Sequence, residues 1–542
     1  MKASTFVTAK RHFTKMQRDE DKDKDNKEKC LAGKSAKRFA ANIGDGVMSS
    51  NDAPAKLESN VLANMLAPLG IRGCKNIRLG GETLKDVSGE LCQPDPDSTG
   101  RGRGAKRNWG QFWQTYRQIN PSFELFAMAD ADPSIDLNQV AAFFIHGDEG
   151  RTLKRGGLLV TSLQSALGKG YDENRVAKVP GSPALQVNFA GHSFCTRHVI
   201  SAIPKTCYDC QPEAYHSHME HVAKSCSKLL HDGYVDKASG LRYRVCILGV
   251  KGDQPYLQKV GHFYRAWNTQ AKRGEERGPP KGCCPYCLAG TRLCHAEEIA
   301  TTTPKWLQTV AVKLPWVRQP AVIRHLCHDQ GDPADFFKSD IWHVVHLGFG
   351  RSWVASVLQV CLPLLPMPNL DEKWNYLTEE YLDWCAANRK QAHISRITPY
   401  LMSYGQQGGA MGSWYKGALT TIFLHWLVDF LGKVPNDPDG HIMQCHCATY
   451  RLNSMFSMLY KAGAFLSEEE SQFVSEQGLR FLESYSLLAH ALFMQGKQQC
   501  FPLYPKLHTF HHIVLEVRVS ARSLDRFLVA SYTAFVKAGL LQ

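Results

Sequence analysis

The sequence predicts a mixed α/β protein, with a sheet and flanking helices interrupted by a large, mostly helical insertion that contains Cys and His. Three observations predict it. Short apolar runs of strand character lie between residues 139 and 250. One amphipathic helix separates the last of these runs from the rest. Beyond a Cys-rich stretch the apolar pattern takes a helical period. The chain has 542 residues, 44% hydrophobic and 10% aromatic, which excludes a wholly disordered polymer.

Residues 1–108 read as a mobile basic N-terminal arm and linker. Gln17 to Lys29 is charged throughout and carries no apolar stripe. Pro94 to Arg107 is a Pro- and Gly-containing linker. Its Arg101, Arg103, Lys106 and Arg107 are candidates for phosphate contact or nuclear import, with a solvated linker as the plain alternative. Order is expected from Trp109, and 109–270 is read as the first part of the core.

Gln139 to His146 predicts a buried strand, and Gly157 to Leu163 a second. A third is expected at Leu185–Phe189 or Ser193–Ile203. Pro212 to Leu230 repeats apolar residues near a 3.6 period and predicts a helix. Leu241 to Val250 predicts a fourth strand. Residues 271–335 form a Cys/His-rich segment, 336–500 a helical insertion, and 501–542 a return to the core. Helices are expected over Trp342–Leu364, over Leu419–Leu431, and from a capping box, Ser467 with Glu470, through Met494.

Lys and Arg total 64 against 51 acidic residues, a net +13 that leans toward a polyanion such as DNA. No secretory apolar core follows Met1, so the 18 cysteines are expected reduced, and close Cys/His clusters favour metal over disulfides. The apolar run Trp353–Pro366 is too short to span a bilayer, so no membrane partner is expected.

Asp148 and Asp253 each follow a predicted strand. Two-metal phosphoryl transfer needs carboxylates converging from neighbouring strands. An RNase H-like fold places one acid on its first strand and one after its fourth, and the predicted order puts Asp148 and Asp253 there. Turn or cap residues are the plain alternative. Cys284-Pro-Tyr-Cys287 can present two thiolates to one Zn²⁺, with His325 and His328 as the expected closing pair. A reduced cysteine cluster without metal is the alternative. A second pair, Cys207 and Cys210, is followed by His216, His218 and His221; metal binding is open there, and polar positions on an amphipathic helix are the favoured reading. Lys154, Arg155, Lys272 and Arg273 are further candidate phosphate contacts. A Gly-x-Ser-x-Gly elbow and a Walker A loop are both absent.

Three blocks resemble the CACTA and Plavaka groups of DDE transposases, in a wording close to transposon-derived proteins of dinoflagellate genomes. They are Gly252-Asp-Gln-Pro-Tyr-Leu-Gln-Lys-Val-Gly-His-Phe263 followed by Cys284-Pro-Tyr-Cys287, then Lys338-Ser-Asp-Ile-Trp-His-Val-Val-His-Leu-Gly348, then Pro505-Lys-Leu-His-Thr-Phe-His-His512. The resemblance implies an RNase H-like core with Asp148 as first acid and Asp253 as second, both holding Mg²⁺ or Mn²⁺. It also implies a large insertion before a third acid. Glu149 could replace Asp148. The thirty residues after His512 do not resemble the family's third-acid segment: Glu516 comes too early and Asp525 lacks the surroundings. The expectation is a transposon-derived DNA strand transferase or nuclease, nuclear or otherwise cytoplasmic, with a homo-oligomer open. The alternatives are a catalytically inactive descendant that binds nucleic acid or protein, and a zinc-stapled interaction module with no DNA role.

Overall fold

The computed structural model describes residues 78–79, 82–83, 101–151, 157–167, 198–209, 212–236, 240–269, 281–291, 294–462, 464–497 and 500–519. The first hundred residues, Lys154, Arg155, Lys272 and Arg273 therefore fall almost wholly outside it. A short pair, Arg78–Leu79 with Glu82–Thr83, is the exception. Helix α1 (Arg101–Ile119) runs through the four basic residues that the sequence reading assigns to a linker, and α2 (Glu124–Ala131) follows it.

The main sheet is built from β1 (Val140–Arg151), β2 (Gly157–Ser165), β3 (His198–Pro204), β4 (Arg242–Gly252) and β5 (Phe337–Ser339). Its order is β3-β2-β1-β4, with β5 and a two-residue strand, Tyr234–Val235, both on the outer edge of β4. β1, β2 and β3 form an antiparallel meander, whereas β1 runs parallel to β4 and β4 parallel to β5. A parallel neighbour needs a crossover. Helix α3 (Pro212–His231) supplies it, burying Met219, Val222, Cys226 and Leu230.

The continuous apolar runs of β1 and β4 follow from that covering. Val140 to Ile145 and Val245 to Val250 are buried throughout, apart from the alternation a one-sided sheet would show. The third strand forms at His198–Pro204, within the second of the two expected stretches, and 185–189 lies outside the described residues. β5 is part of the sheet although it falls at the head of the stretch read as a helical insertion.

The remainder is helical. Trp342–Leu364, expected as one helix, is a π-helical segment (Trp342–Phe349), helix α5 (Gly350–Cys361) and a 3₁₀ turn (Leu362–Leu364). The backbone breaks at Gly348, at φ −115° and ψ −126°. This stretch is long and apolar enough to cross a membrane. Here it is packed inside the protein, with Trp353 ringed by Phe481, Tyr485 and Phe501. Further helices are α6 (Leu370–Ala387), α7 (Gly417–Leu431), α8 (His441–Lys461), α9 (Glu468–Met494) and α10 (Pro505–Val519). The capping box expected at Ser467 and Glu470 is present at the start of α9.

Candidate functional site

Two clusters of chemistry-bearing side chains stand out, one at the sheet edge and one beneath it. The first is fixed by register. Gly147 pairs with Gly252, and Gly252 pairs in turn with Ser339, across three adjacent parallel strands. One residue further along each strand stands an aspartate: Asp148, Asp253 and Asp340. Adjacent strands lie about 4.8 Å apart, so the three aspartates stand level on neighbouring strands.

The two glycines have a steric role. The Tyr256 ring lies across both, and a Cβ on Gly147 would come within 2.0 Å of it. A Cβ on Gly252 would sit 2.6 Å from the same ring and from the Gly147 carbonyl. Asp253 then caps helix α4 (Gln254–Val260), accepting from the Tyr256 amide at 2.8 Å. Burial raises the Asp253 carboxyl above its ordinary range; the Tyr256 amide and His343 oppose this, and the charges of Asp148 and Asp340 add to it. Asp148 lies past the last β1–β4 pair but still inside β1, paired to Val160 of β2, so it is not beyond the strand end.

Asp340 is buried and already engaged. Its Oδ1 accepts from the Trp342 amide at 2.9 Å, and its Oδ2 lies 2.7 Å from His343 Nδ1. Lys506, on α10, donates to the His343 carbonyl at 2.7 Å. Burial and the nearby Arg351 pull its ammonium down to about 8, against the pull of Asp253 and Asp340.

The second cluster is closed. Cys284, Cys287, His508 and His512 are all buried, and their ligand atoms lie within 4.8 Å of one another. His512 Nε2 is 3.5 Å from Cys284 Sγ and 3.2 Å from Cys287 Sγ, and His508 Nε2 is 3.3 Å from Cys287 Sγ. A tetrahedral ion with bonds of about 2.3 Å to sulfur and 2.0–2.1 Å to nitrogen places S and N about 3.5 Å apart. This group could therefore hold a metal ion. Its surroundings suit thiolates. The Tyr286 amide donates to Cys284 Sγ and the Ala289 amide to Cys287 Sγ, each at 3.4 Å. Buried Arg265 donates to the carbonyls of Cys284 and Pro285, each at 3.2 Å, and pins the Cys-x-x-Cys turn.

His512 Nδ1 faces Glu516 at 3.6 Å, a carboxylate behind a ligand histidine. Burial opposes charge at both partners of this cluster. Even so, Cys287 and the two histidines bring the Cys284 thiol well below its ordinary range. The Cys284 thiolate and Glu516 raise His512 to about 9.

The structure does not bring His325 and His328 to this group. His325 Nε2 bonds Glu220 at 2.7 Å, and His328 Nδ1 faces the Leu326 carbonyl at 2.9 Å, near Glu124. The residues that join the two thiolates sit 221 and 225 positions downstream of Cys287. Their i, i+4 spacing on a helix is the signal that marks them. Asp340 has a weaker signal, because β5 is three residues long and shows no strand periodicity. A separate group, Asp437, Asp439 and His441, also has ligand atoms within 4.8 Å of one another. Every cysteine among the described residues is free.

Compared with protein-family models and with curated proteins, the chain gives no match.

Proposed function

We propose that the chain is a metal-dependent enzyme of phosphodiester chemistry, a DNA strand transferase or nuclease on an RNase H-like core. The observation that carries this reading is the register that sets Asp148, Asp253 and Asp340 abreast on β1, β4 and β5. The strand order β3-β2-β1-β4-β5, with its antiparallel meander and parallel second half, supports the fold assignment. So does the resemblance of three sequence blocks to CACTA and Plavaka transposases. Asp340, in the block Lys338–Gly348, is the acid we assign as third partner, at a position ahead of the insertion and not beyond His512, where the resemblance expects one.

Mg²⁺ or Mn²⁺ bound there would activate a water or 3′-hydroxyl and stabilise the leaving oxygen. The chain's own residues hold the carboxylates: Tyr256 fixes Asp253, and His343 fixes Asp340. For the buried group of Cys284, Cys287, His508 and His512 we propose Zn²⁺, on the strength of the two-thiolate, two-imidazole donor set and its closed environment. A DNA substrate would place the protein in the nucleus.

One observation favours a second reading, an inactive descendant acting as a binding scaffold. Both oxygens of Asp340 already have protein partners, and Asp253 serves as a helix cap. Strand cleavage and joining on plasmid DNA, with Mg²⁺ or Mn²⁺, separates the two. Asp253→Asn is the informative variant, since asparagine caps a helix as well as aspartate does. Activity in the wild type that vanishes in the folded variant supports the enzyme. No activity in a folded, zinc-loaded wild type supports the scaffold.

A further inference from the structure

Helix α10 touches both clusters at once. His508 and His512 reach the two thiolates from one side of the helix. Lys506 and Thr509 occupy the neighbouring side, three residues apart and therefore one above the other. Lys506 Nζ donates to the carbonyls of His343, at 2.7 Å, and Leu347, at 3.4 Å. His343 is the residue that holds Asp340. Thr509 Oγ1 accepts from Gln254 Nε2 at 3.1 Å, and Gln254 follows Asp253 directly. The helix thus braces the turns carrying two of the three aspartates.

The fit of the lysine is tight. Its stem runs against Gly348, where a Cβ would lie 2.7 Å from Lys506 Cδ and 2.8 Å from the His343 carbonyl. The break in the π-helical segment at Gly348 therefore makes room for this one side chain. Four ligands in a tetrahedral metal site would fix the helix against the Cys-x-x-Cys turn, since two of the four are on α10.

We propose that α10 couples the two sites: a metal ion at Cys284, Cys287, His508 and His512 sets the helix, and Lys506 and Thr509 transmit its position to Asp340 and Asp253. Lys506 and Thr509 are positioning residues, and filling the buried site raises the affinity of the acidic site for a divalent cation. The coupling is reciprocal, as any linkage between binding sites must be. It rests on the reading that the aspartates bind such a cation.

The test uses the full chain loaded with zinc, and reads Mn²⁺ binding from the electron paramagnetic resonance of free Mn²⁺. Asp253→Asn defines how much of that binding belongs to the acidic site. Lys506→Met is expected to keep one zinc per chain and a cooperative thermal transition while weakening Mn²⁺ binding about tenfold; Thr509→Val should weaken it less. Mn²⁺ affinity in Lys506→Met within twofold of wild type overturns the coupling. A second measurement does not need a variant. Zinc extraction by a chelating dye should slow severalfold when Mg²⁺ saturates the acidic site, and a rate independent of Mg²⁺ overturns the proposal too. If wild type and Asp253→Asn bind Mn²⁺ alike, the acidic-site reading itself fails, and the coupling with it.

Discussion

The two clusters are built by opposite means. The acidic edge comes from three adjacent strands, with Asp148 inside β1 and Asp253 and Asp340 just past β4 and β5, and parallel register sets the three residues level. Asp148 and Asp253 are half-buried there, whereas Asp340 is buried. The Cys/His group is sealed, and its four ligands meet only because a helix more than two hundred residues downstream folds back onto the Cys-x-x-Cys turn. The comparison teaches that one cluster is set by sheet register, whereas the other is set by a long-range contact between a helix and a turn. Removing a ligand from each should therefore have unlike consequences.

The largest effect is expected at the sealed group. Cys284→Ser or Cys287→Ser should drop metal content from one per chain to none, and lower the thermal transition by more than about 10 °C or prevent folding. Metal binding at such sites contributes directly to folding free energy. Metal analysis with calorimetry reads both, and a metal-free variant of unchanged stability would break the contrast. Next is Asp253→Asn at the open edge. On the proposed reading, DNA cleavage should fall about 10³-fold or more, with stability changed by no more than about 1 kcal/mol because the cap is retained. Parallel denaturant curves and cleavage rates check it, and a large stability loss would make Asp253 a structural residue first.

Acid titration sharpens the comparison further. His346 is fully enclosed between the rings of Trp342 and Phe456, and burial lowers it to about 3. Its proton is bound by the unfolded chain at higher pH than by the folded one. Stability is thus complete above pH 6.5 and declines as pH falls from there toward 3, by about 1.4 kcal/mol per unit from this residue. His346→Phe should make that window less steep by one residue's share, leaving the share of His198, His218 and His262, which burial also lowers to about 4, and of His511, lowered to about 3. A curve as steep as wild type would assign the acid lability to the other buried histidines, such as His198 and His511. The smallest effect is expected from His325→Ala and His328→Ala. Metal content should stay at one per chain, with the partly buried Glu220 contact of His325 contributing about 1 kcal/mol. Metal loss in either would reopen the pairing anticipated from sequence.

Much of the acidic edge was legible, because strands and their crossover helix leave local patterns. The runs at 139–146, 157–163 and 241–250, with the helix at 212–230, match the observed β1, β2, β4 and α3 within a few residues. Asp340 escaped assignment because β5 is too short to carry a period, although its surrounding block had drawn attention on resemblance. The sealed group was half legible. A Cys-x-x-Cys turn is a local object, but its completion depends on tertiary folding, and His325 and His328 were nearer in sequence than the residues that arrive. The helical region was read as helices with correct caps at Ser467 and Glu470. Its break at Gly348 depends on where the Lys506 stem lies, which no local pattern encodes.

The distance along the chain between Cys287 and His508, 221 residues, also fixes an order of events during synthesis. At about 5–20 residues per second, the thiolates leave the ribosome roughly 10–45 s before the imidazoles that join them. For that interval the Cys-x-x-Cys turn has only half of its ligand set. The nascent chain must hold its thiols reduced, and any metal loosely, while the whole helical region emerges between them. A ribosome stalled inside that region would leave the two thiols without their imidazole partners, so translation speed through residues 288–507 sets how long the Cys-x-x-Cys turn stands incomplete.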